Sequence, residues 1–184
     1  MNALPGSLPP VTFVLGGARS GKSLYAEGLI KGAGGGLTAG RLYLATAEAG
    51  DAEMAARIEE HKKRRGPDWT TIEEPLELTV ALSRHAVPER PVLVDCLTLW
   101  LSNVMAAGRD AGSEIGALVD CLGSLGGPVV LVSNEVGRGI VPDNALARSY
   151  MDHAGRMNQA VAEAADRVVV MTAGLPQVLK DEAP

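Results

Sequence analysis

The sequence predicts an α/β fold, a mainly parallel sheet with helices on both faces. Three observations carry this. Short apolar runs such as VTFVL, PVLVDC and PVVLVSN alternate with segments of helical periodicity, the order expected of a parallel sheet buried on both sides. Hydrophobic residues make up 46% and charged residues 21% of the 184 positions, enough for one domain to bury its own core. Nothing that reads as a linker or an internal repeat interrupts the alternation, so residues 11–184 read as a single domain behind a disordered lead at 1–10.

Val11–Leu15 is the first buried strand and runs into the glycine pair Gly16-Gly17. A helix follows over Ser23–Ile30, and Lys31–Gly40, with five glycines, is a flexible surface connection. Arg41–Ala45 is the second strand. Asp51–Arg65 is a helix with Asp51 as its cap; Met54, Ile58, His61 and Arg65 share one face, turned inward by the two apolar residues. Trp69–Glu73 is a short strand and Leu76–His85 a helix. Pro91–Cys96 is a further buried strand, followed by helices over Leu97–Ala107 and Ile115–Leu125 and by a strand over Pro128–Asn134. Asp143–Ala165 is a long helix in which Leu146, Tyr150, His153, Met157, Val161 and Ala164 recur at steps of three and four. Arg167–Ala173 is a final central strand. Gly174-Leu175-Pro176 then turns the chain into an antiparallel edge strand of sequence QVLK.

Composition excludes several classes of function. A net charge of −5 argues against a general nucleic-acid binder. Cys96 and Cys121 form no disulfide framework and lack metal-ligand spacing, which fits a reducing, cytoplasmic setting. No apolar run approaches the roughly 20 residues of a membrane span, and MNALPGSLPP lacks the basic start and apolar stretch of a signal peptide. With one Phe, two Trp and three Tyr, the core is expected to come from Val, Leu, Ile, Met and Ala.

The strongest motif is GGARSGKS, Gly16–Ser23, which holds a glycine, four residues and then Gly21-Lys22-Ser23 between a strand and a helix. Glycines let the backbone wrap closely round phosphates, and the helix N-terminus adds partial positive charge. Lys22 is suited to the β- and γ-phosphates and the Ser23 hydroxyl to Mg²⁺. Asp95, at the end of the apolar run PVLVD, has the acidic character and the strand-end position of a Walker B residue; the plainer reading is a turn aspartate. His61, at the basic end of its helix, is either a partly buried histidine with a local hydrogen bond or a nucleophile that attacks phosphorus and holds a nucleotidyl group. Lys62, Arg64 and Arg65 disfavour a charge on its ring, while Glu59 and Glu60 favour one.

The blocks GGARSGKS, LYLATAEAGDAEMAARIEEHKKRRG, WTTIEEP, VLVDCLTLWLSN and VSNEVGRGIVPDNALARSYMDHAGRMNQAVAEAAD occur in this order. Together they resemble the bifunctional adenosylcobinamide kinase and adenosylcobinamide-phosphate guanylyltransferase family of cobalamin synthesis, from about Thr12 to Lys180. The resemblance implies a RecA-like P-loop NTPase sheet and two reactions. In the first, ATP or GTP phosphorylates the aminopropanol hydroxyl of adenosylcobinamide. In the second, GTP gives GMP to that phosphate through a guanylylated histidine, forming adenosylcobinamide-GDP and releasing pyrophosphate.

Carried over by position, Gly16, Gly17, Ala18, Arg19, Ser20, Gly21, Lys22 and Ser23 bind the triphosphate, with Ser23 and Asp95 on Mg²⁺. Family members often carry two adjacent histidines; here the first position is Glu60, which leaves His61 as the nucleophile. Ala45, Thr46 and Ala47 lie beside the nucleotide, Arg64 and Arg65 meet phosphate or base, and Glu73 meets guanine or ribose. Asp95 stands where many members have Glu, and its shorter side chain implies contact with Mg²⁺ through water. The family implies a small homo-oligomer, a trimer or a dimer.

Beyond these carried-over roles, Glu135 reads equally as a base or metal-shell residue or as a loop salt bridge or hydrogen bond, and Gly137 and Gly139 suggest close approach of backbone to ligand or neighbour. His153 reads as a core or interface residue, Arg148, Asp152 and Arg156 as an ion-pair row, and His85 as an exposed residue without a role. Two other functions compete: a monofunctional P-loop small-molecule kinase, which would release no pyrophosphate from GTP, and a non-enzymatic GTP-binding switch. The absence of an Asn-Lys-x-Asp guanine motif weighs against the switch.

Overall fold

The computed structural model describes residues 8–33, 40–47, 59, 62–63 and 65–182. The expected helix over Asp51–Arg65 is therefore seen only at Glu59, Lys62, Lys63 and Arg65, all helical, while His61 and Arg64 lie outside the described residues. Residues 1–7 of the expected lead also lie outside; Leu8 packs on the core and the Pro10 carbonyl accepts from the Val129 amide at 2.8 Å.

In chain order the elements are β1 (Val11–Gly16), α1 (Lys22–Gly32), β2 (Arg41–Ala45), β3 (Trp69–Glu73), α2 (Leu78–His85), β4 (Val92–Asp95), α3 (Leu97–Ala106), α4 (Ala111–Leu122), β5 (Val129–Asn134), α5 (Ala145–Ala164), β6 (Arg167–Thr172) and β7 (Leu175–Asp181). The strands form one seven-stranded sheet in the order β3-β2-β4-β5-β1-β6-β7. Every pairing is parallel except β6 with β7. This is the RecA-like P-loop architecture, with an antiparallel pair at one edge.

Alternation along each strand divides the core between two faces. Phe13 and Leu15 of β1, with Leu42, Leu44, Val94 and Leu131, meet α2, α3, α4 and α5. Val14, with Leu93, Val130 and Val169, meets Ala26, Leu29 and Ile30 of α1. Each fully buried Leu, Ile or Phe on these faces contributes about 1.5–3 kcal/mol. The core is mainly aliphatic, as expected, with a few aromatics inside it. Phe13 and Trp100 are fully buried, and Trp100 satisfies its indole by donating to the Leu76 carbonyl at 3.0 Å.

Several boundaries differ from the sequence reading. α4 begins at Ala111, not Ile115, because the Asp110 side chain accepts from the Ser113 amide at 2.8 Å and caps it there; it ends at Leu122, not Leu125. α2 begins at Leu78 rather than Leu76. Asn144 caps α5, its Oδ1 accepting from the Leu146 and Ala147 amides. The apolar stripe of α5 is buried only along its second half, at Ala154, Met157 and Val161, while Leu146 is 68% exposed. The expected ion-pair row does not form among the described residues: the Arg148 guanidinium donates to the Pro142 and Asp143 carbonyls instead. Ala173 and Gly174, both at positive φ, make the final turn. Leu175 and Pro176 belong to the strand, paired with Thr172 and Met171. A two-residue turn of this hand matches the twist of the strands it joins, and Pro176 is tolerated because β7 is an edge.

Candidate functional site

The site grows out of the turn between β1 and α1. Gly16 ends β1 with no room for a side chain: a Cβ there would lie 2.6 Å from the Met171 carbonyl and from Ser20 Oγ. Gly21, at φ +94°, stands at the head of α1 and offers no side-chain cap. The first amides of the helix, together with its partial positive charge, are therefore free for an anion. Lys22, the first helical residue, is 7% exposed and folds back so that Nζ donates to the Gly17 carbonyl at 2.6 Å. Burial lowers its pKa from the ordinary lysine value, and the Asp95 carboxylate works in the opposite direction.

Asp95 is the last residue of β4, in register with Ala45 of β2 and Val132 of β5. It thus sits at the carboxyl end of the parallel strands, where such sheets bind ligands. Between the β1–α1 turn and the strand ends lies a cleft of about 720 Å³. Of the residues expected at the nucleotide, Ala18, Arg19, Ser20, Gly21, Lys22, Ser23, Ala45, Ala47, Arg65 and Asp95 line it. Glu135 lines it too, with Oε2 accepting from Arg138 at 3.0 Å, an arrangement closer to the loop ion pair than to an unengaged base.

Other expected residues fall elsewhere. Gly16 and Gly17 shape the turn without lining the cleft. Thr46 is fully buried, and its hydroxyl is engaged with the Cys96 backbone. Glu73, exposed at the end of β3, accepts from Lys62 Nζ at 3.2 Å; Lys62 itself lines the cleft. Gly137, at φ +92°, lies close to Met151 of α5, an approach of backbone to a neighbour, and Gly139 has open space around it. His153 is half-buried on α5 and does not line the cleft.

Tyr43, Thr71, Cys96 and Asn134 also line the cleft and were missed. The period of β2 held a signal: Tyr43 and Ala45 are two apart and share a face. Tyr43 donates to Asp95 Oδ2 at 3.0 Å. Burial, and then the Asp95 charge, push its phenol well above the ordinary tyrosine range, so it stays a donor. Its ring carries the Arg65 guanidinium at 3.4 Å. Arg65 is 6% exposed and donates to Thr71 Oγ1 at 3.3 Å, while its Nε and Nη1 have no hydrogen-bond partner among the described residues. Buried, unpartnered guanidinium donors are costly unless an acceptor meets them. Arg65 is thus well suited to an oxyanion or a base edge.

Among the described residues no group of three or more His, Cys, Asp or Glu side chains could cage a metal. A hydroxyl from Ser23 and a carboxylate from Asp95 in one phosphate-sized cleft are the hard oxygen donors that suit Mg²⁺, which keeps several waters and shares phosphate oxygens. No helix among the described residues is long and apolar enough to cross a membrane.

The chain matches the family described as cobinamide kinase / cobinamide phosphate guanyltransferase over residues 12–179. It is 50% identical over 171 residues to the bifunctional adenosylcobalamin biosynthesis protein CobP of Pseudomonas aeruginosa, covering 92% of this chain and 96% of that protein. It is 39% identical over 182 residues to the bifunctional adenosylcobalamin biosynthesis protein CobU of Salmonella typhimurium, covering 91% and 98%. The protein of the same description from Escherichia coli is 38% identical, again over 182 residues.

Proposed function

The chain belongs to the cobinamide kinase / cobinamide phosphate guanyltransferase family, and from that premise we infer that it carries both activities of a bifunctional cobalamin-synthesis enzyme. It phosphorylates adenosylcobinamide with a nucleoside triphosphate and then joins GMP from GTP to adenosylcobinamide phosphate. The observation that best supports a site for this chemistry is the buried Lys22 ammonium at the head of α1, beside Asp95, in a cleft that also takes in Lys62 and Arg65.

In the kinase step the aminopropanol hydroxyl oxygen attacks the γ-phosphorus, the bond to the β–γ bridging oxygen breaks, a nucleoside diphosphate leaves, and the hydroxyl proton is released to solvent. The amides at the start of α1 and the Lys22 ammonium hold the phosphate oxygens in line. Ser23 and Asp95 would hold Mg²⁺, which neutralises charge on the β- and γ-phosphates when bound. In the second step a neutral nitrogen of His61 attacks the α-phosphorus and pyrophosphate leaves. A phosphate oxygen of adenosylcobinamide phosphate then displaces the histidine, which is regenerated. His61 lies outside the described residues, and its candidacy rests on its position in the family pattern. Its sequence neighbours Lys62 and Arg65 line the cleft, which supports a histidine acting there. Arg64 is expected to share the binding of phosphate or base. Glu73, bonded to Lys62, is expected to meet guanine or ribose. Residues 11–184 form the single catalytic domain, working as a small homo-oligomer in the cytoplasm.

The test uses α-labelled GTP with Mg²⁺, followed by isolation and mapping of a covalent GMP adduct. The adduct should be acid-labile and sit on His61. His61→Ala should lose the adduct and the guanylyl transfer while still phosphorylating cobinamide from γ-labelled nucleotide. Persistence of the adduct in His61→Ala refutes the nucleophile assignment. Absence of pyrophosphate release from GTP by the unaltered protein would favour a kinase alone.

A further inference from the structure

Tyr43 touches two charged groups that line the cleft, Asp95 and Arg65. It is 6% exposed, and its position on β2 is locked by parallel pairing with Thr71 of β3 and Leu93 of β4. Its hydroxyl donates to Asp95 Oδ2 at 3.0 Å, and its ring face lies 3.4 Å from the Arg65 guanidinium carbon. Trp69 of β3 meets the ring edge-on, with centroids 6.3 Å apart, so the ring cannot swing without disturbing a second buried aromatic.

The two contacts have separate consequences. A carboxylate at a strand end has free rotation about its last bond. A phenol bonded to one oxygen fixes the plane of the carboxylate and leaves the other oxygen to be shared with water or metal. A guanidinium held over a ring face is restrained there, and two of its groups, Nε and Nη1, have no hydrogen-bond partner among the described residues. Without the ring, the hydrogen bond to Thr71 is the one left among the described residues to hold the orientation of Arg65.

We propose that Tyr43 is a positioning residue for both reactions, setting the Asp95 carboxylate with its hydroxyl and the Arg65 guanidinium with its ring. This rests on the reading that Asp95 serves the divalent ion and Arg65 the nucleotide. The two roles separate by substitution: Tyr43→Phe removes the first and keeps the second, whereas Tyr43→Leu removes both.

The experiment is equilibrium binding without turnover, using Mn²⁺ with a non-hydrolysable GTP analogue. Free Mn²⁺ is read by electron paramagnetic resonance and the analogue by calorimetry, for the unaltered protein and for Tyr43→Phe, Tyr43→Leu, Asp95→Asn and Arg65→Met. Tyr43→Phe should weaken Mn²⁺ binding about fivefold, with analogue affinity preserved. Tyr43→Leu should show that loss and weaken the analogue about tenfold as well. A merely structural tyrosine would move both affinities together and in step with the melting temperature. The proposal is overturned if Tyr43→Phe binds Mn²⁺ normally while Asp95→Asn does not. It is equally overturned if Tyr43→Leu binds the analogue normally while Arg65→Met does not. If Asp95→Asn and Arg65→Met both bind normally, the underlying reading of the site fails and takes the proposal with it.

Discussion

The hydroxyl of Thr46 donates to the Cys96 carbonyl at 2.7 Å and accepts from the Cys96 amide at 2.9 Å. Its own carbonyl accepts from Asn103 Nδ2 at 2.8 Å. The family pattern placed Thr46 beside the nucleotide; in the fold it ties the end of β2 to the chain leaving β4. That tie keeps Ala45 and Asp95, one strand apart, at the same level of the sheet. Thr46→Val has nearly the same shape but leaves the buried Cys96 amide without its partner, while the Cys96 carbonyl keeps the Trp100 amide at 3.2 Å. The expected loss is about 2–3 kcal/mol of unfolding free energy, read from the urea midpoint, with GTP affinity of the folded protein little changed. An unchanged midpoint would show that the tie is dispensable.

Lys22→Met keeps the buried aliphatic stem and removes the ammonium. GTP should then bind at least about tenfold more weakly, and both phosphorylation and guanylyl transfer should fall further than binding does. Calorimetry and the two activity assays check this; GTP affinity equal to that of the unaltered protein would remove Lys22 from the phosphate site.

Gly127, just before β5, has a structural reason that no motif announces. A Cβ there would fall 2.0 Å from the Val87 carbonyl oxygen. Gly127→Ala should cost about 3 kcal/mol through forced backbone movement. Gly116, inside α4 with open space around it, makes the opposite case. Gly116→Ala should stabilise by about 0.5–1 kcal/mol. Thermal unfolding of the two variants side by side gives the sign of each.

Ala173 holds φ +52° in the turn between β6 and β7, a conformation an L-residue with a Cβ adopts at a cost. Ala173→Gly removes that cost and should raise stability by about 1 kcal/mol, offset in part by the greater freedom of glycine in the unfolded chain. A drop in melting temperature would show that the turn is held for another reason.

Much of this was legible along the chain. The strand runs around Phe13, Leu93, Leu131 and Val169 are near-continuously apolar because both of their faces are covered, and that pattern is local. The Gly16–Ser23 loop was legible because its glycines, lysine and serine are contiguous. The α4 start was missed because the signal lay in Asp110, a single capping side chain ahead of a weakly patterned helix. The final turn was misplaced because Gly-Leu-Pro looks like punctuation, whereas the preceding Ala173 takes the positive φ.

The sequence by itself determined the class of fold, the phosphate loop and the order of strands and helices along the chain, since each depends on residues within a few positions of one another. Tertiary structure alone decided the strand order. By setting β2 between β3 and β4 it brought Tyr43, Thr71 and Asp95 from three separate segments to one end of the sheet. It also decided which neighbours face the cleft: Ala45 and Ala47 do, while Thr46 between them turns inward to Cys96. Side chains alternate at every step of an extended chain, so residues adjacent in sequence serve opposite faces, and only the packed sheet says which face is the site.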